Sequence, residues 1–287
     1  MSKIAVIADS SCDYTPERAK KAGFSIVPLN VTFEDGTVYR DGIDITREEF
    51  FNKLAAGKQL PKTSQPTLDA WMQAFHEHED CDDIIVITIS SKLSGTINGA
   101  GMARKMIREE GFQPHIHLVD SMTASAAMAE FALEAVRMAK AGKSVQEILN
   151  RMMYLRNHQA IYFIIDSLDY LLKGGRIGKV TALAGKVMGI KPVLTVLEGE
   201  AKNVDKVRGM KAGLNKLVDR FLERAVDLHH VTVLSSCAPD RVKMISHMLQ
   251  SHISDIKITN VEIGAVIGTY IGPGGISLVY EEKEALW

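Results

Sequence analysis

Two hydroxyl-rich segments carry the residues best suited to chemistry, Lys62-Thr63-Ser64-Gln65-Pro66-Thr67 and Ser90-Ser91-Lys92-Leu93-Ser94-Gly95-Thr96. The second follows a mostly apolar run, Ile84 to Ile89, and precedes a helical pattern that begins near Ile97. A strand that ends in Ser and Gly and turns into a helix leaves backbone N–H groups unpaired at the mouth of a sheet. Those donors and the helix dipole favour negative charge, so the site suits a carboxylate or a phosphate. Taken alone, Ser94 or Thr96 has a plainer reading as a helix N-cap.

Other chemistries fail on spacing. Gly174 to Lys179 approaches a phosphate loop, but Gly174 is one residue too close and Val180 cannot ligate magnesium. Gly272, Gly274 and Gly275 lack the GxGxxG spacing of a dinucleotide site and do not follow a first strand. His115 and His117 share one face of a strand pattern without a carboxylate or cysteine partner at metal-ligand spacing, and His76 and His78 point apart on a helix. No metal site is expected. Ser94 sits between strand and helix as hydrolase nucleophiles do, yet position 92 of the would-be GxSxG elbow is lysine. A serine-type acyl-ester hydrolase, with Ser94, a remote histidine and Asp120 or Asp9, stays open as an alternative. Asp9-Ser10-Ser11 lacks the second acid of an aspartyl-phosphate enzyme. No catalytic residue is assigned.

The elements that must position these residues follow from periodicity. Ile4–Ala8 is a buried first strand, too short for a secretory signal. Thr15-Pro16-Glu17 opens a helix, Ser25 to Phe33 is β-rich, and Glu34-Asp35-Gly36 is a hairpin turn. Thr46 with Glu49, and Ser144 with Glu147, are capping boxes, and Thr67 caps a third helix. Strands alternating with helices up to about residue 160 predict a doubly wound, mostly parallel sheet. Asp9-Ser10, Ser90-Ser91 and Asp120-Ser121 then fall at the carboxyl ends of strands, where ligands of such sheets sit. Beyond Ile161 a hairpin, Lys191–Leu197 with Ala201–Val207 around Glu198-Gly199-Glu200, predicts a mixed, partly antiparallel sheet. The expectation is an α/β chain of two closely packed domains, residues 1–160 and 161–287.

Composition narrows the function. A net charge of −1 predicts neither a nucleic-acid footprint nor a polybasic membrane anchor. Three cysteines, Cys12, Cys81 and Cys237, form no CxxC pair and no disulfide framework. No stretch approaches the ~18 apolar residues of a membrane span, so the chain is expected to be soluble and cytoplasmic. A carboxylate ligand held by hydroxyls would draw its affinity from an apolar tail. The 13 methionines and the small-residue stretches Gly99-Ala100-Gly101 and Ala124–Ala129 are candidate lining, with ordinary core packing as the plainer reading of any one methionine; composition alone does not point to lipid.

A third segment, Gly268-Thr269-Tyr270-Ile271-Gly272-Pro273-Gly274-Gly275, changes the weight of the first two. With Lys173-Gly174-Gly175-Arg176-Ile177 and Ile7-Ala8-Asp9-Ser10-Ser11-Cys12-Asp13, its order and spacing resemble the DegV family over essentially the whole chain. Those are bacterial lipid-binding proteins, some of them the fatty-acid-carrying subunit of a fatty acid kinase in phospholipid metabolism. The resemblance implies a bound long-chain fatty acid, with no cofactor and no nucleic-acid partner. Its carboxylate would be held by Thr63, Ser94 and the Gly95 N–H, with Arg208 and Tyr270 as further head-group or phosphate contacts. The tail would lie in a tunnel of the N-terminal domain, the second domain covering the head-group side. It also implies an ATP-binding kinase partner and at most transient membrane contact. Where kinase-partner members often carry histidine, this chain has Tyr270, which can donate a hydrogen bond but brings no positive charge at neutral pH. A lipid sensor or transport module without a kinase partner is the other alternative.

Overall fold

The computed structural model describes residues 2–176 and 189–287. Ile177, Lys179 and Val180, which entered the phosphate-loop comparison, lie outside the described residues.

The chain opens with β1 (Ile4–Asp9), a 3-10 turn (Ser10–Cys12) and α1 (Pro16–Ala22), followed by β2 (Ser25–Val27), β3 (Asn30–Thr32) and β4 (Val38–Arg40). Next come α2 (Arg47–Ala56), β5 (Lys62–Ser64), α3 (Leu68–His76), β6 (Asp83–Thr88), α4 (Thr96–Glu109) and β7 (His115–Asp120). The long helices α5 (Ala126–Lys140) and α6 (Val145–His158) lead without a linker into β8 (Gln159–Ile164). The remainder is α7 (Asp169–Lys173), β9 (Ile190–Leu197), β10 (Glu200–Arg208), α8 (Met210–Arg224), β11 (His230–Ser235), α9 (Pro239–His252), β12 (Lys257–Glu262), α10 (Ala265–Ile271) and β13 (Ile276–Glu281). Both expected capping boxes form, and the Thr67 hydroxyl accepts from the Ala70 N–H.

The first sheet, β2-β1-β6-β7, is wholly parallel. Its central strands β1 and β6 are nearly continuous apolar runs because both faces are covered. Ile7, Ile84 and Val86 pack under α3 and α4, while Val6, Ala8, Ile85 and Ile87 pack on α5. The second sheet, β10-β9-β8-β13-β11-β12, is antiparallel except for its β11–β12 pair. Helices α8 and α9 cover one of its faces through Leu217, Phe221, Ile245 and Leu249. Its other face, with Ile161, Phe163, Leu234 and Val279, joins the cluster around α5. That helix therefore lies between two sheets. The alanines Ala126, Ala127, Ala129, Ala132 and Ala135 are fully buried there, and their small side chains let it approach both.

The run from Ser25 to Phe33 is not one strand. Pro28, which has no N–H for a ladder, separates β2 in the parallel sheet from β3 in a small antiparallel sheet, β4-β3-β5. This third sheet packs Leu29 and Val31 against Phe50, Phe51 and Val266, bringing α2 and α10 together. It also makes the segment around Thr63 a strand, paired with β3. No helix among the described residues is long and apolar enough to cross a membrane.

Candidate functional site

The turn after β6 is built on Ser90, whose carbonyl accepts from the N–H groups of Leu93 (2.9 Å) and Ser94 (3.1 Å). α4 then follows with Gly95 as its N-cap residue and no side-chain cap. The N-cap reading of Ser94 and Thr96 is thus corrected, since their hydroxyls lie 2.8 Å from each other. Among the described residues, the N–H groups of Gly95, Thr96 and Ile97 have no acceptor. They retain donor capacity at the positive end of the helix dipole.

β5 faces this turn. Thr63 pairs with Val31 in the ladder, and its Oγ1 lies 2.6 Å from the Tyr270 hydroxyl on α10. The next side chain, Gln65, lies across the first turn of α4. A Cβ at Gly95 would stand 2.9 Å from its Oε1, and one at Gly99 would meet its amide at 3.5 Å. Glycine at position 95 makes that close approach feasible, whereas the contact at Gly99 is an ordinary one.

α10 is anchored by the first half of the chain. Gly264 N–H donates to Asp13 Oδ1 (2.8 Å) and Ala265 N–H to Asp41 Oδ1 (2.9 Å). Both carboxyls are buried, and burial raises them, Asp13 to about 7. The glycines after them serve packing. A Cβ at Gly268 would come within 2.8 Å of Phe50, and Gly272 ends the helix at φ +69° beneath the Tyr170 ring.

Between these elements lies a cavity of about 250 Å³. Thr63, Ser64, Gln65, Ser94, Gly95 and Tyr270 form a contiguous polar part of its wall. The rest is chiefly apolar, with Ile161, Phe163 and Ile165 from β8 and its end, Val196 from β9, and Ile263 and Ile267 around α10. The structure brings four of the five expected site residues to one wall: Thr63, Ser94, Gly95 and Tyr270. Arg208 is exposed at the end of β10, opposite Ile190, and is not among the lining residues. Among the described residues the cation at the wall is Arg176, whose guanidinium stands 5.0 Å from the Tyr270 ring centroid. Gln65 falls within the first hydroxyl-rich segment and Arg176 within the glycine segment 173–177, but nothing in their spacing distinguishes them from surface residues.

The lining differs from expectation in two further respects. No methionine of the described residues lines the cavity, nor does Gly99-Ala100-Gly101; of Ala124–Ala129 only Ala124 and Ser125 do. Sheet faces supply the surface, and strands favour branched and aromatic side chains. The apolar lining is also not confined to the N-terminal half, since most of its residues lie after 160.

The polar strand ends do gather at one sheet edge, but as closures. Asp9 Oδ2 accepts from Ile89 N–H (2.8 Å) and Asp120 Oδ1 from Ser91 N–H (3.2 Å). Among the described residues no histidine lines the cavity beside Ser94. His117 instead lies 2.7 Å from Asp83, and His78 2.9 Å from Ser25 Oγ.

The fold and the site together define a class, an α/β protein that encloses an apolar cavity walled on one side by hydroxyls and helix N–H donors. A family model described as "Uncharacterised protein, DegV family" matches residues 3–283, and the chain belongs to the DegV family. A DegV domain-containing protein of Caldanaerobacter subterraneus is 32% identical over 286 residues, covering 99% of this chain and 100% of that protein. A solved DegV family protein of Thermus thermophilus, described by its fatty acid binding, superposes with a TM-score of 0.87 at 29% identity, over 97% of this chain and 99% of its own. A stearic-acid-binding protein of Eubacterium ventriosum superposes with a TM-score of 0.87 at 32% identity, over 99% of both chains.

Proposed function

We propose that this chain is a cytoplasmic carrier that binds one long-chain fatty acid and presents it to an ATP-dependent fatty acid kinase partner. The observation that supports this most is the pairing of an apolar cavity with a wall of hydroxyls and unpaired helix N–H groups. The fatty-acid-bound relatives point the same way.

In this reading Thr63, Ser94 and the Gly95 N–H hold the carboxylate. Charge-assisted hydrogen bonds of this kind fix the position of the head group. Affinity comes from the tail, since burying ten methylenes is worth about 8 kcal/mol before the cost of association. Tyr270 and Arg176 stand beside the head group, and the arginine fork suits the oxygens of an acyl phosphate. Arg208 would act on the partner side. Residues 1–160 hold the head group and 161–287 cover it, the join falling where α6 meets β8. The chain itself contributes no catalytic residue; the partner supplies ATP and transfers the phosphate.

Native mass spectrometry of the purified protein, with solvent extraction, tests the core of this proposal. An adduct matching a long-chain fatty acid is expected. A mass unchanged after adding a series of long-chain acids would sink it.

A further inference from the structure

The apolar floor of the cavity contains one hydroxyl that the head-group reading does not use. Ser277 lies on β13 between Phe163 of β8 and Leu234 of β11, in register with both. It is 3% exposed, lines the cavity, and makes no side-chain hydrogen bond with any described residue. Its flanking partners belong to the apolar cluster around α5.

Two buried hydroxyls near it are satisfied, whereas Thr88, Thr123 and Thr195 are unpartnered among the described residues but do not line the cavity. One row further along the same face, Thr232 lies opposite Val279 and donates to Glu130 Oε1 at 2.9 Å. Ser125, the other buried serine of the lining, gives its hydroxyl to Asp13. A hydroxyl without a partner in an apolar row is unfavourable, and alanine would fill the same space. Ser277 is carried by β13 of the second sheet, whereas Thr63 is on β5 of the third and Ser94 is on the turn before α4.

We propose that Ser277 is a second polar subsite, which accepts or donates a hydrogen bond to an oxygen substituent on the acyl chain. The ligand class it selects is a hydroxy fatty acid, in which the chain hydroxyl meets Ser277 while the carboxylate occupies the polar wall. This assignment rests on the fatty-acid reading above. A chain hydroxyl taken into an apolar cavity is normally penalised, and a matched partner removes that penalty.

The test compares stearic acid with a positional series of hydroxystearic acids, by displacement of a fluorescent fatty acid from the full chain. For the parent protein, at least one isomer is expected to bind as tightly as stearic acid. Ser277→Ala should weaken that isomer about three- to tenfold, leaving stearic acid unchanged, and Ser277→Thr should restore it. Parallel changes for stearic acid and every isomer would overturn the subsite, because serine would then only be making room. So would a parent protein that binds every isomer more than about tenfold more weakly than stearic acid, whatever the variants do. Saturable binding of none of these acids to the parent would overturn the fatty-acid reading together with the subsite.

Discussion

The hydroxyls of Thr63 and Tyr270 lie 2.6 Å apart although 207 positions separate them in the chain. The contact joins β5 to α10 across the cavity wall. One of the two hydroxyl protons is used between them, which leaves the other for a ligand oxygen.

Removing the two proposed carboxylate donors should separate head-group recognition from folding. Thr63→Ala with Ser94→Ala is expected to lower the affinity for a long-chain acid by about tenfold or more per hydroxyl, the range for hydrogen bonds to a charged group. Both side chains are only partly buried, so the thermal midpoint should move by a few degrees at most. Isothermal titration with the double variant at unchanged affinity would remove Thr63 and Ser94 from the site.

Tyr270 tests the link to a kinase. Tyr270→Phe should cost about 1 kcal/mol of stability through the lost Thr63 bond, read from urea unfolding, while fatty acid binding stays within about tenfold. Tyr270→His restores the residue that the resemblance associates with kinase partners. Phosphate transfer to the bound acid by an ATP-binding fatty acid kinase subunit should then rise about tenfold over the parent, a difference of about 1.4 kcal/mol in barrier. Absence of transfer in both proteins, with binding intact, would leave a sensor or transport role.

Filling the cavity should block the tail. Ala201 is 5% exposed and lines the apolar side. Ala201→Phe is expected to abolish binding of long-chain acids, with a stability loss of about 1–3 kcal/mol from overpacking. Retained stearic acid in an extract of this variant would place the tail elsewhere.

Stability should fall as pH rises across neutrality. Burial raises the carboxyls of Asp13 to about 7 and Asp9 to about 6. A carboxyl raised on folding binds its proton more tightly in the folded chain, so its contribution is complete below the ordinary value near ~4. That contribution is lost as pH passes through about 6 to 7. Asp44 and Glu147, held down to about 2 chiefly by Arg40 and Lys143, lose theirs only under acid conditions. Urea unfolding is therefore expected to show a few kcal/mol less stability at pH ~8 than at pH ~5. Asp13→Asn, compatible with the left-handed backbone at that position, should flatten the slope. The comparison also cancels the opposing contribution of His78, which burial lowers. A parent and variant with equal slopes would remove Asp13 from this account.

Much of the local structure was legible because it depends on neighbours in the chain. The capping boxes at Thr46 and Ser144, the hairpin at Glu198-Gly199 and the apolar strand Ile84–Ile89 each follow from a few adjacent residues. Periodicity could not indicate that Pro28 hands the chain from one sheet to another, because a short β-rich run does not name its partner. Nor could it separate Arg176 from Arg208, both arginines beside glycines.

By itself, then, the sequence determined the elements, the two-part α/β order and the hydroxyl segments, all of which depend on propensity and spacing over a few residues. Tertiary structure alone decided that Tyr270 meets Thr63, that Arg176 rather than Arg208 stands at the wall, and that sheet-borne Ile and Phe line the cavity in place of methionine. The reason is physical. A cavity wall is assembled from side chains hundreds of positions apart, and their meeting is set by how sheets and helices pack, which short-range spacing does not encode.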